Sequence, residues 1–171
     1  MQPKRCPELS APEAVERLSR MSGFLRDVAE RLPGDQQRRK PSRDEFSLLE
    51  HVCHLRDLER EGYGVRIERI LREDRPLLPD FDGAKVARER NYLGESLPHA
   101  LESFGAARAH NLEIVSNLMA DQLSRTGVLD PAGEITLGGL LARMCAHDEE
   151  HREQITGLQK HLSSVRQSPP G

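Results

Sequence analysis

The stretch TLGGLLARMCAHDEEHREQITGLQKHL, residues 136–162, reads as one long amphipathic helix. Leu137, Leu140, Leu141, Met144, Ile155, Leu158 and Leu162 recur at intervals that keep returning to one helical face. His147 and His151 fall on the same stripe, between Met144 and Leu158. Imidazoles on a core-facing stripe need a reason, because both ring nitrogens lose water there. Two of them one turn apart aim lone pairs at a common point, which is what a divalent ion takes from a helix. The other reading of HDEEH (147–151) is a pair of core or interface histidines hydrogen-bonded to carboxylates.

Working back toward the N-terminus, three more helical patterns appear. Ser10 and Glu13 have the spacing of a capping box, and Val15, Leu18, Met21, Leu25, Val28 and Leu32 follow until Pro33-Gly34 ends the run. After the polar linker 35–42, Ser42 with Glu45 predicts the start of a second helix reaching about Arg72, interrupted only at Gly62 and Gly64. Asp74 to Pro79 stops it. Residues 80–92 read as a long crossover connection with one short helix. Ser96 and Pro98 open a third helix, carried by Leu101, Phe104, Leu112, Val115 and Leu118 to about Ala120. Gly127 and the run Asp130 to Gly133 mark the last turn, and SSVRQSPPG (163–171) reads as a frayed tail. No stretch reads as a substantial sheet. The expectation is an all-α, single-domain four-helix bundle over residues 1–171, with a long crossover after helix 2.

The chain has 171 residues, enough to form a core without disulfides. Twenty-five Lys and Arg against 28 Asp and Glu give a formal charge of -3, so neither nucleic acid nor an anionic membrane surface is an expected partner. Three widely spaced cysteines, Cys6, Cys53 and Cys145, argue against a disulfide framework and for the cytoplasm. No apolar run approaches the roughly 20 residues of a bilayer span, and the polar opening MQPKRCPELSAPE lacks a signal-peptide core. CxxC pairs, glycine-rich phosphate loops and GxSxG elbows are absent.

Asp148 after the first histidine departs from the HExxH zinc-protease motif, and no Glu-x-x-His pair of the di-iron bundles is present. A third ligand has to come from EHVCHLRD (50–57), and helical periodicity leaves His51 and His54 both open. Glu50, one turn before His54, is a candidate general base or support for a ligand; Asp57, Asp148 and Glu150 are weaker candidates for fixing imidazole tautomers. His99, His110 and His161 read as ordinary solvated or capping residues, and Cys53 and Cys145 as small core residues.

FSLLEHVCHLRD (46–57) resembles a family pattern of Trp, Ser/Thr, two variable residues, Glu/Gln, three variable residues and His-Leu-x-Asp, with Phe46 in the place of Trp. LREDRPLLPDFD (71–82) is similar to the segment after that family's second helix, and residues 133–155 to its final helix. The family is that of the DinB-like metalloenzymes, in particular the YfiT-like branch of metal-dependent hydrolases, and the likeness covers roughly residues 44–162. The resemblance implies His54, His147 and His151 as metal ligands, zinc or nickel as the ion, a four-helix bundle, and commonly a homodimer. It implies a hydrolase acting on a small molecule, or a transferase or isomerase using a low-molecular-weight thiol. A non-catalytic bundle with a structural ion or a partner-binding role is the remaining reading.

Overall fold

The computed structural model describes residues 8–166, so Cys6, most of the polar N-terminal opening and the last five residues of the expected tail lie outside the described residues. Four helical rods form the body. The first comprises α1 (Ala11–Leu18) and α2 (Arg20–Arg31), joined through Ser19. The expected capping box is in place, with Glu13 N–H donating to Ser10 Oγ at 3.4 Å and Ser10 N–H to the Glu13 carboxylate at 3.0 Å. At the far end the Gln37 side-chain amide donates to the carbonyls of Ala29 and Leu32, acceptors the helix leaves free.

The second rod starts later than the sequence suggests. Its cap is Ser47 with Glu50, not Ser42 with Glu45, and α3 runs Leu48–Asp57. Both serines have the same spacing to a glutamate, but the helix opened by Ser47 puts Leu48, Leu49, Val52 and Cys53 in the core. Burial decides between two equivalent local signals. The interruption expected at Gly62 and Gly64 takes the form of a π-helical segment, Leu58–Tyr63, that leads directly into α4 (Gly64–Arg72). A side chain at Gly64 would sit 2.9 Å from the Glu59 carbonyl and 3.1 Å from the Asn111 side chain, so crowding by the π-helical turn and by Asn111 requires glycine there.

The crossover carries β1 (Leu77–Leu78), α5 (Gly83–Arg90) and a short 3₁₀ turn at Tyr92–Gly94. Asp57 anchors it, accepting hydrogen bonds from Arg56, Arg90 and the Tyr92 hydroxyl. The third rod, α6 (Leu97–Ser116), stops four residues short of the expected end, where Asn117 turns its side-chain amide back onto the Glu113 carbonyl; α7 (Ala120–Leu123) follows. Then β2 (Thr126–Leu129) and β3 (Gly133–Thr136) form an antiparallel pair, with β1 parallel to β2 on its other side. This small three-stranded sheet is an addition to the expected helical bundle. Strands of two to four residues are too short to show alternation in sequence. The last rod, α8, spans Leu137–Arg166, four residues longer than the stretch before the expected fraying point at Ser163.

The first rod packs on α6 and α8, and the second packs on the same two. Consecutive rods one and two therefore sit on opposite sides of the α6 and α8 pair. The interior has two apolar halves. One gathers Met21, Leu25, Val52, Phe104 and Ile155; the other gathers Leu18, Ile67, Leu78, Leu140 and Met144. Between them along α3, α6 and α8 lie His51, His54, Arg108, His147, Asp148 and His151, a polar layer across the middle of the bundle.

Candidate metal centre

His147 and His151 point into the bundle from α8, as their stripe predicts, and α3 brings His54 to meet them. One ring nitrogen from each of the three lies within 4.8 Å of the others. Nε2 of His147 and Nε2 of His151 are 3.2 Å apart. Two nitrogens each about 2.0–2.1 Å from a single ion stand about 3.0 Å apart at a right angle and about 3.4 Å apart in a tetrahedron, so the observed spacing suits either. Among the described residues, no carboxylate hydrogen-bonds any of the three rings, and Nδ1 of His54 is buried with no partner at all. Histidines paired with carboxylates, the other reading of HDEEH, are therefore not what the fold builds. The three-histidine group suggests a divalent metal.

Burial sets the protonation of the cluster. It pushes His54 and His147 down to about 4, with His147 adding to the effect on His54 and Arg108 to that on His147. His151 falls to about 2, through burial and then the neighbouring His147, His51 and His54. Neutral imidazoles are what a metal requires, so no proton has to be displaced near neutral pH.

His51 is also buried and takes a different place. Its Nδ1 lies 2.8 Å from Nδ1 of His151, on the side away from His147, so it holds the His151 ring from behind. Helical periodicity left His51 and His54 both open and the family resemblance implied His54; an orienting role for His51 was not foreseen. Its closeness to Leu55 and the apolar arc was the available signal. Phe46, in the position where the related pattern has Trp, packs against both rings, with centroids 5.5 Å from His51 and 5.7 Å from His54.

The carboxylates expected to support the histidines are occupied elsewhere. Glu50 serves the α3 cap, accepting the Ser47 N–H at 2.8 Å, and its other oxygen takes Lys40 Nζ at 3.3 Å. It is a helix cap, with no hydrogen bond to an imidazole among the described residues. Asp57 holds the crossover. Asp148 accepts two hydrogen bonds from Arg108, at 2.6 and 3.0 Å. Glu150 is exposed at the edge of a cavity next to His147. Cys53 and Cys145 are buried free thiols, pushed up to about 12 and about 11 chiefly by burial, which fits small core residues. His99, His110 and His161 are exposed.

Gly83, the first residue of α5, explains how the crossover closes over His54. A Cβ there would stand 2.4 Å from Cε1 and 2.7 Å from Nδ1 of the imidazole. His54 itself separates two depressions. The larger, about 740 Å³, is lined by His147, Leu58, Tyr63, Arg66 and Phe81; the smaller, about 380 Å³, by Phe46, His51, Gly83 and His151. The π-helical turn contributes Leu58 and Tyr63 to the larger one, and the Tyr63 ring stands 6.1 Å from that of His147. No helix among the described residues is long and apolar enough to cross a membrane.

Residues 17–155 match the family model of the DinB superfamily. Among solved structures, the fold is similar to that of YfiT from Bacillus subtilis, described as a probable metal-dependent hydrolase with an unusual four-helix bundle topology. The TM-score is 0.83 and the identity 17%, over 95% of this chain and 94% of that one. No curated protein is significantly similar to the chain in sequence.

Proposed function

The chain belongs to the DinB superfamily, and from that premise we propose that it is a metal-dependent hydrolase of a small organic molecule, with His54, His147 and His151 holding one divalent ion, zinc or nickel. The observation that carries this reading is the convergence of three neutral imidazoles, two buried and His147 half-buried, beside a cavity of about 740 Å³. That volume lies within the roughly 300–1,000 Å³ of small-molecule sites. A divalent ion held by three imidazoles supplies Lewis-acid polarisation of a carbonyl and activation of water, and imidazole nitrogen suits both zinc and nickel.

The chain's own residues supply the rest. If Nε2 of His151 held the ion, its Nδ1 would keep the proton and donate a hydrogen bond to Nδ1 of His51, which would fix both tautomers. Burial holds the Tyr63 phenol up at about 12, so it stays protonated and offers its Oη–H to a substrate in the cavity. Leu58, Phe81 and Leu140 exclude water from the same wall.

Elemental analysis of the protein purified without a polyhistidine tag tests the reading. We expect about one divalent ion per chain, lost in His147→Ala, and metal-dependent turnover of model esters or amides. A stoichiometry near zero in both proteins would reject it. Running the turnover assay with and without a low-molecular-weight thiol separates hydrolysis from thiol transfer.

A further inference from the structure

We infer that the cavity beside the histidines binds an organic acid with an apolar body, its carboxylate held by Arg66 and Arg143. What happens to that acid rests on the hydrolase reading; its binding stands on the two arginines. Arg66 projects from α4 into the cavity wall with its side chain only 7% exposed. Of the five N–H donors on a guanidinium, the hydrogen bond it makes is from Nη2 to the Pro79 carbonyl, at 3.0 Å. Its Nε has no partner. The nearest carboxylate oxygen in an ion pair with it is Asp80 Oδ1, 4.0 Å away on a side chain that is 66% exposed. A buried cation short of a counterion is costly, and this one faces a cavity large enough to deliver one.

Arg143, one turn before His147 on α8, lines the same cavity without an ion-pair partner among the described residues. The carboxylates that share the cavity, Asp80, Asp130 and Glu150, are exposed at its rim. Negative charge therefore faces water, and Arg66 sits on the inner wall. Leu58, Phe81, Leu129 and Leu140 cover much of the remaining lining, which suits an apolar body better than a sugar or a nucleotide. Planar guanidinium groups match a carboxylate through paired hydrogen bonds.

The test is calorimetric titration of the tag-free protein, metal-stripped and metal-loaded, with 4-phenylbutyrate and with its neutral amide, 4-phenylbutyramide. The acid is expected to bind saturably in both metal states, with the amide weaker by about tenfold or more, a difference of about 1.4 kcal/mol. R143Q, at a half-buried position, and R66Q should each bring acid and amide to similar affinity while leaving metal content unchanged. Equal binding of acid and amide, binding of the acid only in the metal-loaded protein, an acid preference that survives in both variants, or no saturable binding would overturn the proposal. A metal-free native protein that still prefers the acid would sink the hydrolase reading and leave this one standing.

Discussion

His151 has both ring nitrogens engaged, Nε2 toward His147 and Nδ1 toward His51. Its partner behind is another imidazole, whereas a carboxylate or a backbone carbonyl is the commoner choice. An imidazole orients the ring without adding negative charge, so an ion held in front would keep more of its own charge to act on a substrate. Replacing His51 by alanine should therefore weaken metal binding by about 10- to 100-fold, the usual effect of removing such a partner, while about one ion per chain still binds at saturation. Competition with a chromophoric chelator reads the affinity. If the ion were lost outright in His51→Ala and retained in His54→Ala, His51 would be the ligand and the assignment would fail.

At the scale of elements, Arg108 is the brace. From α6 it donates to Asp148 on α8, to Glu59 in the π-helical turn and to the Leu18 carbonyl at the end of α1, so one buried guanidinium ties four elements. Its Nε lies 3.0 Å from Glu59 Oε1 without the alignment of a hydrogen bond. Asn111, one turn along α6, donates to the Glu59 carboxylate at 2.9 Å and completes the hold on the turn that carries Tyr63. Because Asp148 directly follows His147, the brace also fixes where α8 presents that imidazole. Arg108→Met would strand two buried carboxylates, and such a loss costs about 3–5 kcal/mol. Urea unfolding measures it, and adding Glu59→Gln and Asp148→Asn should restore part of the loss. A cost below about 1 kcal/mol would show that the network is not a brace.

Across the whole molecule, the two apolar halves provide the stability and the polar layer between them subtracts from it. The four imidazoles of this layer have folded values of about 2 to about 4, below an unfolded value of about 6.5. Between those limits the unfolded chain binds more protons than the folded one, so metal-free protein loses stability as pH falls from about 6.5 toward 4. The slope is at most about 1.4 kcal/mol per pH unit for each imidazole. Urea midpoints in the presence of a chelator at pH 7.5, 6.5 and 5.5 should fall in that order; a flat or rising series would contradict the burial of neutral histidines. The four helical rods and the inward aim of His147 and His151 were legible from local periodicity, since the 3.6-residue repeat places side chains on faces whatever the rest of the chain does. The cap at Ser47, the π-helical turn and the small sheet were not, because each depends on long-range burial or pairing: the leucines after Ser47, Arg108 and Asn111 around Glu59, Leu77 and Leu78 against Val128 and Leu129. The sequence by itself determined a helical bundle with two histidines on an inner stripe. Periodicity left His51 and His54 both open and the family resemblance pointed to His54; only the tertiary structure decided that His51 stands behind His151, because two residues three apart on a helix differ by a rotation of the whole rod, and that rotation is set by how Leu48, Leu49 and Val52 pack against the other helices.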